Sequence, residues 1–193
     1  MARSSSYSSH YFFKRAFKLV TLEKATEIDA EIIFQMQVES FSSLLEKYKD
    51  YETSPANERI ERTISRINNL DGGFYKIFVN TNLVGAICIS RKEEASKFWI
   101  SPMFIIPNYQ GNGIAQKVLI LIEEMFPEIT TLELATILEE ERNCFLYEKM
   151  GYIRTEFKKK LNDKATLIYY KKKGKAHFKC FTFLRYLRLN IQN

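Results

Sequence analysis

Apolar side chains recur along the chain with two spacings, and the switches between them mark out its elements. A period of two, the mark of a strand with one buried face, runs through residues 74–79 and 83–90. These two runs flank Asn80-Thr81-Asn82, a hairpin turn whose asparagines tolerate positive φ. The same rhythm returns at 97–106, at 130–137, and in the runs 152–161 and 165–171 on either side of Asn162-Asp163, a second predicted hairpin. A helical period predicts a helix capped by Thr26 that buries Ile28, Ile32, Met36 and Val38. Past Ser40, a second helix carries Phe41, Leu44, Leu45 and Tyr48. A third opens with Ser54 as N-cap and Pro55 in the first helical position, presents Ile60, Ile64 and Ile67, and ends near Asp71-Gly72-Gly73. Val118, Leu119, Ile122 and Phe126 place a fourth over 115–126, and a fifth spans 139–150. With a first strand at 18–22 the order is mixed α/β, and no internal repeat or long linker breaks it.

The strand at 97–106 and the helix after it are joined by Gln110-Gly111-Asn112-Gly113-Ile114-Ala115. Glycines there leave backbone N–H groups uncovered just where a helix begins, and orphan donors at the positive end of a helix dipole attract anions. Two nucleotide loops are excluded by spacing. A Walker loop needs four residues between its glycines and then Gly-Lys-Ser/Thr, and a dinucleotide fingerprint needs a glycine or alanine where Gln116 stands. The remaining pattern, Gln110-x-x-Gly113-x-Ala115, resembles the pyrophosphate loop of the GCN5-related N-acetyltransferase (GNAT) family, Gln/Arg-x-x-Gly-x-Gly/Ala. A second stretch, Leu146-Tyr147-Glu148-Lys149-Met150-Gly151-Tyr152, is similar to that family's Leu-Tyr-Glu-Lys-x-Gly-Phe/Tyr signature, and follows in the right order. The two matches cover residues 97–157, with weaker resemblance over 19–173.

The resemblance implies an acyl-CoA N-acyltransferase fold, a mixed and largely antiparallel central sheet with flanking helices, over a domain at 18–173. It also implies transfer of an acetyl group from acetyl-CoA, as cosubstrate, to a primary amine on a small molecule or a protein, by direct attack and with no metal. Gln110, Gly111, Asn112, Gly113, Ile114 and Ala115 would hold the CoA pyrophosphate through main-chain amides, without a dedicated cationic side chain. The strand edge at Met103, Phe104, Ile105 and Ile106 would carry the pantetheine arm, with Pro107 ending the pairing so that the strand splays from its neighbour. Tyr147 matches the family's general acid, a phenol that stays protonated at neutral pH, and a packed core tyrosine is the competing reading. Asn143 shares its helical face and would hydrogen-bond the cosubstrate. The family's asparagine more often lies seven residues before the tyrosine, where this chain has Glu140. Glu52, at the mouth of the expected acceptor wall, is the candidate base, against a plain surface or capping carboxylate. A different class of function keeps this fold and makes it a non-catalytic acyl-CoA sensor or scaffold.

At 193 residues and 46% hydrophobic, the chain suits one domain with a sizeable core. The net charge of +6 is unevenly spread: residues 158–193 hold eleven Lys or Arg against one Asp, so the body before them is mildly acidic. The basic excess is therefore weak support for a nucleic-acid protein. Residues 1–17 open with a serine-rich run and are expected to be disordered or tag-like. Residues 174–193 form a basic, aromatic extension in which Cys180, Leu184, Leu187 and Ile191 share a helical face. Three uses of it stay open: packing on the body or on a second copy in a homodimer, a membrane-surface helix, or nucleic-acid contact. Cys88, Cys144 and Cys180 are scattered structural thiols, and no apolar run has the ~20 residues of a membrane span. A cytoplasmic protein is expected.

Overall fold

The computed structural model describes residues 19–92 and 96–174. The expected amino-terminal segment and the basic extension, with its homodimer, membrane and nucleic-acid readings, lie outside the described residues.

Seven strands form one sheet: β1 (Val20–Lys24), β2 (Gly72–Val79), β3 (Asn82–Arg91), β4 (Lys97–Ile105), β5 (Thr131–Ile137), β6 (Ile153–Lys160) and β7 (Thr166–Lys173). Their spatial order is β1-β2-β3-β4-β5-β7-β6, and every pairing is antiparallel except β4 with β5. Four helices cover it: α1 (Ala30–Tyr48), α2 (Ile60–Ile67), α3 (Ile114–Met125) and α4 (Glu141–Lys149). This is the mixed, largely antiparallel sheet that the resemblance implies, and it contains both hairpins expected from the turns at Asn80–Asn82 and Asn162–Asp163.

The two faces carry separate cores. On one, Val118, Leu119 and Ile122 of α3 and Tyr147 of α4 pack on Ile77, Ile87, Ile100 and Leu134. On the other, Ile33 and Met36 of α1 and Ile67 of α2 pack on Phe74, Ala86, Cys88 and Phe104. Each buried Val, Leu, Ile, Met or Phe side chain among them contributes about 1.5–3 kcal/mol relative to exposure. Burial also pushes the Cys88 thiol up to about 12, which keeps it protonated and inert.

Three sequence expectations change. Residues 30–48 form one helix of 19 residues, with no break at Ser40. Its buried face is Ile33, Met36 and Gln37, while Ile28 is 94% exposed, because Thr26 caps a short 3-10 turn and the α-helix begins only at Ala30. Ser54 likewise caps a 3-10 turn at Pro55–Asn57, and α2 starts later, at Ile60.

Gly85 fixes how closely β3 and β4 approach: a Cβ there would lie 2.1 Å from the Phe104 carbonyl oxygen. Gly85→Ala should therefore cost about 1–3 kcal/mol, a fall in Tm of roughly 3–10 °C by circular dichroism. An unchanged Tm would contradict this contact.

Candidate active site

β4 and β5 pair only over their first four residues, Lys97 with Thr131 through Ile100 with Leu134. Past that point β5 continues against β7, but β4 leaves it. The cause lies on the other side of β4. Ile89 pairs with Ile100 and Ile87 with Met103, so Cys88 alone faces both Ser101 and Pro102, a β-bulge that bends the strand. The extra residue also flips the alternation: Phe98 and Ile100 precede the bulge on the α3 face, and Met103 and Ile105 follow it there. Pro102, inside the bulge, has no N–H for the β3 ladder, which suits an irregular step in that pairing. The split thus begins at the Ser101–Pro102 bulge, not at Pro107, which opens the 3-10 turn Pro107–Tyr109 after the strand has ended.

Alternation then decides which backbone groups meet the gap. The Ile106 N–H donates to the Val84 carbonyl at 2.9 Å, so Phe104 and Ile106 turn their amides to β3, and Met103 and Ile105 turn theirs into the fork. Gln110 agrees with this, since its Nε2 donates to the Ile105 carbonyl at 2.8 Å. Of the four strand-edge residues named from sequence, Met103 and Ile105 offer main-chain donors. Phe104 lines the cleft with a buried ring edge-on to Phe41 and Phe74, and Ile106 lies off the cleft wall.

At the far end of β4 the glycine turn reaches α3. Gly111 and Gly113 take φ of 77° and 72°, a left-handed conformation that side-chain-bearing residues resist. Among the described residues, the amides of Gly111, Gly113, Ile114 and Ala115 find no acceptor within the protein. The Asn112 side chain folds back onto the carbonyls of Tyr109 and Gln110, both at 3.1 Å, and does not line the cleft. One neighbour was not foreseen. Arg142, from α4, places Nη2 3.4 Å from where a Gly111 Cβ would lie, and makes no ion pair among the described residues. The turn therefore does have a cation beside it.

α4 supplies the third side. Tyr147 is buried, its ring against Tyr152 at 5.8 Å and Tyr170 at 5.9 Å, and its hydroxyl has no partner among the described residues. Burial, helped by Cys144 next to it, pushes this phenol up to about 12. Asn143 makes a long 3.5 Å contact from Nδ2 to Thr136 Oγ1 on β5. Glu140, at the helix start, accepts from Lys47 Nζ and Tyr48 OH, each at 2.6 Å. Burial alone would raise this carboxyl, but those two donors outweigh it and lower its pKa. Asn162 of the β6–β7 turn donates to the Tyr48 carbonyl at 2.9 Å, so α1, α4 and that turn are tied across the cleft.

Together these walls enclose a cleft of about 800 Å³ running from the glycine turn through the fork to α1. That volume suits a ligand of cofactor size. Glu52 is exposed and off its wall; Asp50, two residues earlier, is buried on it, accepting from the Thr53 N–H at 2.9 Å and Oγ1 at 2.5 Å. Among the described residues no cluster of His, Cys, Asp or Glu could hold a metal.

A sheet forked between two parallel strands, with bare amides at a helix start beside the fork, defines an acyl-CoA transferase type of fold. The acetyltransferase (GNAT) family model matches residues 32–152, and the chain belongs to that family. Spermidine N-acetyltransferase from Vibrio cholerae, solved with CoA and spermine, superposes with a TM-score of 0.65 at 14% identity, covering 80% of this chain and 95% of that one. The PaiA N-acetyltransferase of Thermoplasma acidophilum, in complex with coenzyme A, gives 0.62 at 18%, over 80% and 99%. The ribosomal-protein-S18-alanine N-acetyltransferase of Escherichia coli gives 0.64 at 11%, over 81% and 94%. At such identities the likeness is one of fold. A search of curated protein sequences finds no match.

Arg142→Ala should weaken CoA binding about 3–10-fold by calorimetry at low salt and markedly less in 0.5 M salt, the pattern of a lost exposed charge contact. Equal affinity for both proteins at low salt would show that Arg142 does not reach the phosphates.

Proposed function

We propose that the protein is an acetyl-CoA-dependent N-acetyltransferase that acetylates a primary amine by direct attack within a ternary complex. The observation that carries this reading is the fork itself. It presents main-chain donors at Met103 and Ile105, unpaired among the described residues, on a cleft that also holds Tyr147 and opens onto the bare amides of the glycine turn.

Each group then has a task. The amides from Gly111 to Ala115, with Arg142, hold the diphosphate, and the β4 edge accepts the pantetheine arm as an added strand does. An N–H of that edge stabilises the oxyanion as the amine nitrogen bonds to the thioester carbon. When the C–S bond breaks, the thiolate takes its proton from Tyr147. Asp50 stands on the α1 side of the cleft, where a carboxylate attracts an incoming ammonium, whose proton passes to water. Glu140, at the position where the family asparagine is commoner, is committed to Lys47 and Tyr48 and so shapes the wall. Asn143 stays within reach of the fork from α4.

The test is release of CoA thiol from acetyl-CoA across a panel of amines. Tight CoA binding with no thiol released by any amine would instead favour a sensor or scaffold.

Tyr147→Phe should lower kcat about 100-fold or more and leave CoA affinity unchanged; an unaltered kcat removes Tyr147 from the reaction. A phenol held up at about 12 remains a proton donor well beyond pH 10. The rate of the unmutated enzyme should therefore rise from pH 7 to 10 as the amine deprotonates, with no falling limb. A decline setting in below pH 10 would mean a donor of lower pKa.

A further inference from the structure

Trp99 and Tyr169 line the cleft and also a second concavity of about 600 Å³. It lies on the sheet face where α1 and α2 pack chiefly on β2, β3 and β4, and where, among the described residues, no helix packs chiefly on β5, β7 or β6. Its wall is aromatic. The Tyr169 ring lies 6.0 Å from Trp99 and 4.9 Å from Phe157, which is 62% exposed, so three rings from three strands form one continuous surface. At its border Lys92 holds its ammonium 4.8 Å over the Trp99 ring and bonds the Glu133 carboxylate.

We propose that this niche binds the body of the acceptor: an aromatic or bulky apolar group carried on a short spacer from the primary amine. The inference rests on the reading that the cleft takes the amine. Continuity supplies the direction, because two of the three rings belong to both spaces and Trp99 stands one pair before the fork. Reach supplies the spacer: Ser101, where the fork begins, lies two residues beyond Trp99, about 7 Å at ~3.3 Å per residue, which a ring some four carbons from nitrogen spans. Charge supplies the chemistry. The carboxylate of the niche, Glu133, is already paired with Lys92, so a second ammonium gains nothing there, whereas a neutral ring gains the aromatic wall.

Trp99 is the only tryptophan of the chain, so its fluorescence reads the niche directly. The full chain is titrated with 4-phenylbutylamine, n-butylamine and 1,4-diaminobutane, with and without CoA. A pentapeptide beginning Ala-Phe, whose ring is five atoms from the terminal amine, is titrated in parallel, to tell a free amine from a chain terminus. The niche predicts a saturable change with the ring-bearing amine or the peptide, at least about tenfold tighter than with either ring-less amine. It also predicts loss of that preference in Phe157→Ala at unchanged CoA affinity. Equal affinity for 4-phenylbutylamine and n-butylamine, or a full preference surviving Phe157→Ala, overturns the proposal. Acetyl transfer is followed with the same amines to separate the two readings: ring-selective binding without thiol release leaves the niche standing and removes the transferase, and thiol release at equal KM for both amines does the reverse.

Discussion

Past Ile100 and Leu134, two neighbouring strands stop exchanging hydrogen bonds while both remain strands, and the site depends on that separation. Backbone N–H groups in a sheet are obligatory donors, and those left without a partner must meet water or a ligand. The bulge opposite Cys88 bends β4 away, and the donors of Met103 and Ile105 are left facing a gap. Closing the fork would need a straight β4, and the side chains after the bulge would then point to the wrong core: Phe104 would leave the cluster around Ile33 and Phe74. Packing on both faces thus holds open what hydrogen bonding alone would shut.

The cleft that results is electrically uneven. At one end sit amides at the start of a helix of 12 residues, with the guanidinium of Arg142 across the turn. On the α1 side sits the buried carboxylate of Asp50, while Glu140, two residues from Arg142, is already paired with Lys47 and Tyr48. An anion at the first end and a cation on the α1 side are what an acyl-CoA and an amine bring. Tyr147 lies between them in an apolar pocket of rings, where the neutral phenol is the favoured form.

Much of this was legible in the residues, for identifiable reasons. Strands and hairpins came from strict alternation and from turn residues such as Asn80, which does take a left-handed φ of 57°. The glycine turn was legible because spacing and chemistry coincide there. Helix phase was misread where a 3-10 turn intervened: Thr26 and Ser54 are caps, but of single turns that delay α1 and α2, and Ile28 is left in solvent. The fork had a signal that pattern reading passed over, namely the proline inside a strand and the change of phase from Ile100 to Met103. Arg142 had none, since its place beside Gly111 depends on how α4 docks, which no local spacing encodes. Glu52 and Asp50 show the same limit, as two carboxylates two residues apart in one loop of which only Asp50 faces the cleft.

The account depends most on coenzyme A occupying the fork and the glycine turn together. Amide hydrogen exchange, resolved by NMR with and without CoA, measures both at once. The account predicts that added CoA slows exchange at Gly111, Gly113, Ile114, Ala115, Met103 and Ile105, while Phe104 and Ile106, already bonded to β3, change little. Saturating CoA that leaves the turn and the two fork amides exchanging as before would contradict it.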